Sequence, residues 1–167
     1  MYVGSGIFQL FAPQESPFTS SSDYVIEATF VLGLAGTLAA IAGLHFLQRE
    51  RYGWLGTAGS VTAFAGHALL LAIAATTTLA GRETFDALFP AGVLAAFVGL
   101  VLMGVASLRA RILPWMYGAL LIFGFPLSMV LSAANLGSVA LGAVWMLVGY
   151  ALWTRREDAP RPRPAVT

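Results

Sequence analysis

The chain has 167 residues, of which 58% are hydrophobic and 10% charged, with a formal net charge of +1, a mean hydropathy of +0.79 and no cysteine. Soluble domains carry charge on about a quarter of their residues, so this composition excludes a soluble globular domain. The absence of cysteine removes disulfides, thiolate nucleophiles and cysteine-ligated clusters, and the near-neutral charge offers no basic field of the kind that attracts nucleic acid.

With a membrane span taken as about 20 apolar residues, the pattern predicts an all-α integral membrane bundle of five transmembrane helices. Residues 1–23 form an external N-terminal segment, 24–153 the five-helix membrane domain and 154–167 a disordered cytoplasmic tail. The start, Met1-Tyr2-Val3-Gly4-Ser5, lacks the positive n-region of a signal peptide, so the first span is expected to stay in place. Ile7, Phe8, Leu10 and Phe11, ahead of Pro13 and Pro17, read as a surface loop or as a lid along the outer leaflet.

The first span is placed at Tyr24–Leu47, with Asp23 as its N-cap. It contains Glu27 and His45 on one face, near opposite ends. Glu27 is placed close enough to the outer boundary to snorkel or to bond Thr76, Thr77 or Thr78, and His45 reads as an interfacial residue. The second span is placed at Trp54–Ala80. Gly59 and Ala63 repeat there at a four-residue spacing whose next member is His67, so His67 is expected to face another helix. An ionisable group at that depth is either hydrogen-bonded internally or functional, as a proton relay or cofactor ligand.

The remaining spans are placed at Leu88–Leu108, Ile112–Leu131 and Asn135–Trp153. Pro90 and Pro114 fall where a helix begins and its first N–H groups have no partner. Pro126 lies inside the fourth span, where it releases the Ile122 carbonyl and predicts a kink. Gly43, Leu47 and Trp54 recur 61 positions later as Gly104, Leu108 and Trp115. That echo reads either as a duplicated hairpin framing a site or as shared topology signals. The tail repeats Arg161-Pro162-Arg163-Pro164 and is expected to be extended beside anionic lipid.

All nine basic residues are arginine, and eight follow the odd-numbered spans; only Arg82 follows an even one. Because basic loops are retained in the cytoplasm, the N-terminus is predicted outside and the C-terminus inside the bacterial cytoplasmic (inner) membrane. Trp54, Trp115 and Trp153 then share the cytoplasmic interface, where indoles prefer to sit.

The segment Leu108-Arg109-Ala110-Arg111-Ile112-Leu113-Pro114-Trp115, followed by Gly118 and Leu120-Leu121-Ile122, resembles a junction between the third and fourth spans of small uncharacterised membrane proteins of actinobacterial type, classed as a domain of unknown function. The resemblance covers the last four spans; it implies a helical bundle and supplies neither activity nor site residues. The span count and orientation are also similar to those of the tryptophan-rich sensory proteins that bind porphyrins and sterols, but that family's tryptophan and proline pattern is missing here.

Catalytic and metal motifs are not found. Ser60 and His67 lie on one helix roughly 10 Å apart, too far for a dyad, and His-Glu-x-x-His is absent. The depths of His45 and His67 differ by roughly 15 Å, so one haem iron cannot take both. Glu27, Thr76–Thr78, Ser128, Ser132, Asn135 and Ser138 gather toward the outer face, either as ordinary helix-end polarity or as a pocket. The sequence therefore supports a non-enzymatic integral membrane subunit or scaffold, packed through small-residue helix faces. Its partners would be membrane lipids, a protein partner or a second copy, and its cofactor is unknown. The alternative is a small carrier or binder of a hydrophobic ligand, lipid or haem, with His67, Glu27, Thr77, Ser132 and Asn135 as candidate ligand-binding residues.

Overall fold

The computed structural model describes residue 7 and residues 17–111, 113–132 and 136–157. Most of the expected N-terminal lid, Asn135 and the arginine–proline tail lie outside the described residues.

Five helices account for nearly all of what is described: α1 (Ser21–Gln48), α2 (Gly53–Ala80), α3 (Phe89–Ala110), α4 (Trp115–Ser132) and α5 (Gly137–Glu157). Each is long and apolar enough to cross a membrane. Their boundaries fall within three residues of the predicted spans except at the C-terminal end of α5. There the helix continues to Glu157, into the segment expected to be extended tail.

The helix ends differ in detail from the sequence reading. Asp23 occupies the third position of α1, and Ser20 is the cap. The Asp23 carboxylate accepts hydrogen bonds from the Thr19 and Ser20 backbone N–H groups, each at 2.9 Å. It thereby supplies the acidic half of a capping box. The α2 helix closes at Gly81, whose φ of 64° is the left-handed conformation that glycine adopts without strain. Its N–H donates to Thr77 O, and its carbonyl accepts from Phe18 N at 2.8 Å. At the end of α3 the same left-handed position is taken by Arg111, with φ 52°.

Neighbouring helices run antiparallel. Tyr24 meets Gly81 at one end of the α1–α2 pair, and His45 meets Ser60 toward the other. Gly59 lies against Met103 and Gly66 against Ala96; Gly104 faces Gly118, and Gly124 faces Val144. Gly43 touches Leu152, so α5 returns beside α1 and runs parallel to it. This up-down order puts Trp54, Trp115 and Trp153 at one end, exposed by 80%, 75% and 67%. Arg49, Arg51, Arg109 and Arg111 belong to the turns at that same end.

The tightest seam is α2 against α3. A Cβ built on Gly99 would lie 2.1 Å from Ala63 N, and one on Gly66 would lie 2.3 Å from Ala96 N. Backbone therefore touches backbone, the close approach that small residues at three- and four-residue spacing permit. The seam runs Gly59, Ala63, Gly66, so the series expected to arrive at His67 reaches α3 one residue earlier. His67 does face other helices, as expected, packing against Phe125 of α4 and Trp145 of α5.

The 61-residue echo divides on inspection. Trp54 and Trp115 both open helices and are similarly exposed. Gly43, however, packs against α5, whereas Gly104 packs against α4. The glycines of the two copies have different partners.

Candidate functional site at the α1–α2 turn

The most developed group of polar side chains lies where α1 turns into α2. His45 sits about one turn before the end of α1, Tyr52 is the residue that caps α2, and Ser60 lies two turns into α2. The short turn Arg49–Tyr52 is closed by Tyr52 N donating to Gln48 O at 3.1 Å, and it folds the two helices so that all three side chains converge. Ser60 Oγ lies 2.9 Å from His45 Nδ1, and the Tyr52 hydroxyl bonds the same nitrogen.

Ser60 Oγ donates to Thr57 O at 2.9 Å. His45 Nδ1 stands between the Ser60 and Tyr52 hydroxyls, and the tautomer of the ring decides whether it donates to them or accepts from Tyr52. Nε2 takes no part in either contact. A hydroxyl beside an imidazole suggests a nucleophile and a base, but the Ser60 hydrogen points to Thr57 rather than into the ring. Ser60 also lies well inside a helix, where backbone N–H groups are already bonded and cannot stabilise an oxyanion. Burial pushes the Tyr52 phenol above its ordinary value of 10.0, an effect that the neighbouring Ser60 hydroxyl partly offsets.

Beside this cluster a groove of about 330 Å³ opens between α1 and α2, lined by Ile41, Ala42, His45, Phe46, Ser60, Val61, Phe64 and Ala65. Its walls are almost wholly apolar, and Phe46, Val61 and Phe64 face outward from the bundle. Arg49 stands at its edge, with Cζ 5.6 Å from the Phe46 ring centroid. Gln48, three residues after His45, is fully buried, and neither polar atom of its amide has a hydrogen-bond partner among the described residues.

The candidates drawn from sequence are arranged differently. His67 is 1% exposed, and its Nδ1–H donates to Ala63 O at 2.8 Å. Trp145, edge-on to its ring at 6.3 Å, has a buried indole N–H with no hydrogen-bond partner among the described residues. Thr77 bonds Thr84 at 3.2 Å, tying the end of α2 to the following turn. Ser132 donates to Ser128 O at 2.9 Å and Ser128 to Phe125 O at 2.7 Å. Thr76 and Thr78 likewise return to carbonyls of their own helix. Glu27 is half-buried and engaged within the protein. The described members of the outer group thus turn mainly to their own backbone, which is how isolated hydroxyls in apolar helices are satisfied. No group of three or more His, Cys, Asp or Glu able to hold a metal ion occurs among the described residues.

Sequence reasoning overlooked Tyr52 and Gln48 and treated Ser60 only as a partner for His67. Spacing about the turn did not signal the pair, since His45 lies three residues inside α1 and Ser60 seven residues inside α2. No family model, no curated protein and no solved structure matches this chain.

Proposed function

We propose that the protein is a non-enzymatic integral membrane subunit or scaffold of the bacterial cytoplasmic membrane, with its N-terminus outside and its C-terminus in the cytoplasm. The observation that carries this reading is the α2–α3 seam, where backbones touch along Gly59, Ala63, Gly66, Ala96 and Gly99. Such a seam makes a rigid central pair, suited to holding neighbouring helices or a partner rather than to alternating between states. Thr76, Thr78, Ser128 and Ser132 support the same reading, because each donates to a carbonyl of its own helix. The arginine asymmetry and the shared end of Trp54, Trp115 and Trp153 support the orientation. The resemblance to small multi-span actinobacterial-type proteins is compatible with such a role.

The test is purification in mild detergent from native membranes, followed by mass spectrometry of the intact assembly. The reading expects a homo-oligomer or a stoichiometric protein partner, with His67→Ala lowering stability or assembly and leaving no optical signal changed. A monodisperse monomer carrying a chromophore would overturn it.

The second reading, a binder of haem or another hydrophobic ligand at His67, is favoured by one observation. With Nδ1–H given to Ala63 O, His67 keeps Nε2 as a lone pair, and a ligating histidine commonly donates its other N–H to a carbonyl in this way. Beside it, the Trp145 N–H has no hydrogen-bond partner among the described residues. A Soret band in the purified protein, lost in His67→Ala, would establish this second reading.

A further inference from the structure

We propose that the groove between α1 and α2 is a binding site for one anionic phospholipid. In this site an acyl chain lies along Ile41, Ala42, Phe46, Val61, Phe64 and Ala65, and the phosphate is held at the Arg49 edge beside His45. The inference rests on the membrane reading above, and it concerns a different place from the outer polar group and His67.

Three observations converge. The groove is apolar and opens sideways from the bundle through outward-facing Phe46, Val61 and Phe64. In a chain solvated by lipid, the molecules at that opening are acyl chains, because the hydrocarbon layer contains no water to fill it. The polar groups are confined to one end, so the site has the polarity of a lipid: a chain-sized apolar channel capped by His45, Ser60 and Arg49. Charge complementarity selects the headgroup. Arg49 and Arg51 face a single carboxylate, Glu50, within that exposed turn, and Arg109 and Arg111 add to the positive field at the same end of the bundle. Arg49 is also oriented, since its guanidinium stacks over the Phe46 ring that forms one wall. A guanidinium presents a fork of N–H donors that matches phosphate oxygens. His45 Nε2, not used in the Tyr52 and Ser60 bonds, is left for a hydrogen bond to the headgroup.

A zwitterionic lipid fits the channel equally well but brings its own cation to the arginine edge. The site therefore separates headgroups by charge and not by chain. A basic residue near an anionic lipid surface is worth about 1 kcal/mol, which corresponds to roughly a fivefold preference per engaged arginine.

The experiment is native mass spectrometry of the full chain in detergent, titrated with equimolar phosphatidylglycerol and phosphatidylcholine of the same chains. The expected result is one retained lipid per protein, with phosphatidylglycerol favoured roughly fivefold. Arg49→Gln abolishes the preference while retaining lipid. Ala65→Phe, which fills the channel, abolishes the bound lipid with the far-ultraviolet circular dichroism of the parent. Glycerol 3-phosphate, the headgroup without chains, does not compete. Equal retention of the two lipids overturns the proposal, as does a preference unchanged in Arg49→Gln. Displacement by glycerol 3-phosphate, or a second copy of the chain covering the groove and excluding lipid, also overturns it. Should Ala65→Phe fail to fold, the Arg49→Gln comparison still decides. Because binding in detergent does not depend on which way the chain is inserted, a failure of orientation is detected separately, by labelling Trp54-flanking positions in intact cells.

Discussion

One helix, α2, presents two faces that solve the same packing problem in opposite ways. Toward α3 it offers Gly59, Ala63 and Gly66 and brings backbone against backbone. Toward α1, near the Arg49–Tyr52 turn, it offers Val61, Phe64 and Ala65, and the helices part enough to leave a groove of about 330 Å³. Closeness between helices in lipid is set by the size of the residues between them, since no hydrophobic force pulls them together. Glycine at the crossing gives contact; on the other face the side chains of Phe64 and Ala65 line an open notch. The closed face gives rigidity, and the open one provides room for chemistry.

The comparison is broken most severely at Gly99, whose side-chain position is already filled by Ala63 backbone. Gly99→Leu is expected to lower stability by about 3 kcal/mol or more, the upper range of overpacking, and to show as a large fall in thermal midpoint in detergent. A loss below about 1 kcal/mol would mean that the two helices are not in backbone contact.

The polar end of the open face is sharpened by His45→Phe, which keeps the ring and removes the bonds to Ser60 and Tyr52. The expected cost is about 1 kcal/mol, and Ser60→Ala in the same background should add little. Additive losses in that double-mutant cycle would show that the two groups do not interact.

Tyr52 gives the same cluster a pH signature. Its phenol is raised in the fold by burial, so the folded state holds this proton more tightly than the unfolded chain does. The associated stability is fully present below the ordinary value of 10.0 and is lost as pH rises through the higher folded value. Thermal midpoints measured from pH 8 upward should therefore begin to fall above about pH 10, and Tyr52→Phe should remove that component of the fall.

The smallest effect is expected at Ala65→Leu, where the added atoms enter the groove. A change within about 0.5 kcal/mol is expected, in contrast to the same enlargement at Gly99. Equal penalties at the two positions would erase the distinction between the faces.

Helix placement was legible because five apolar runs separated by arginine, proline and glycine leave little freedom in where a long apolar helix begins and ends. The candidate site was less so. Tyr52 sits in a turn with no motif to mark it, and Ser60 and His67 on one helix are too far apart to point to His45. The partner of a side chain in an antiparallel hairpin is fixed across the turn, not along the strand of sequence that carries it. Counting outward from Arg49–Tyr52 pairs His45 with Gly56, so the contact with Ser60 depends on how the two helices are rotated and inclined.

The sequence by itself determined the all-helical class, the number of spans and the clustering of arginine and tryptophan at alternate turns. Those follow from composition and period, which act locally along the chain. Only the tertiary structure decided that Gly66 and not His67 continues the seam, that the outer hydroxyls are satisfied mainly on their own helices, and that the open space lies beside His45. These depend on how each helix is rotated about its axis, and that rotation is set by the neighbours packed against it rather than by any residue alone.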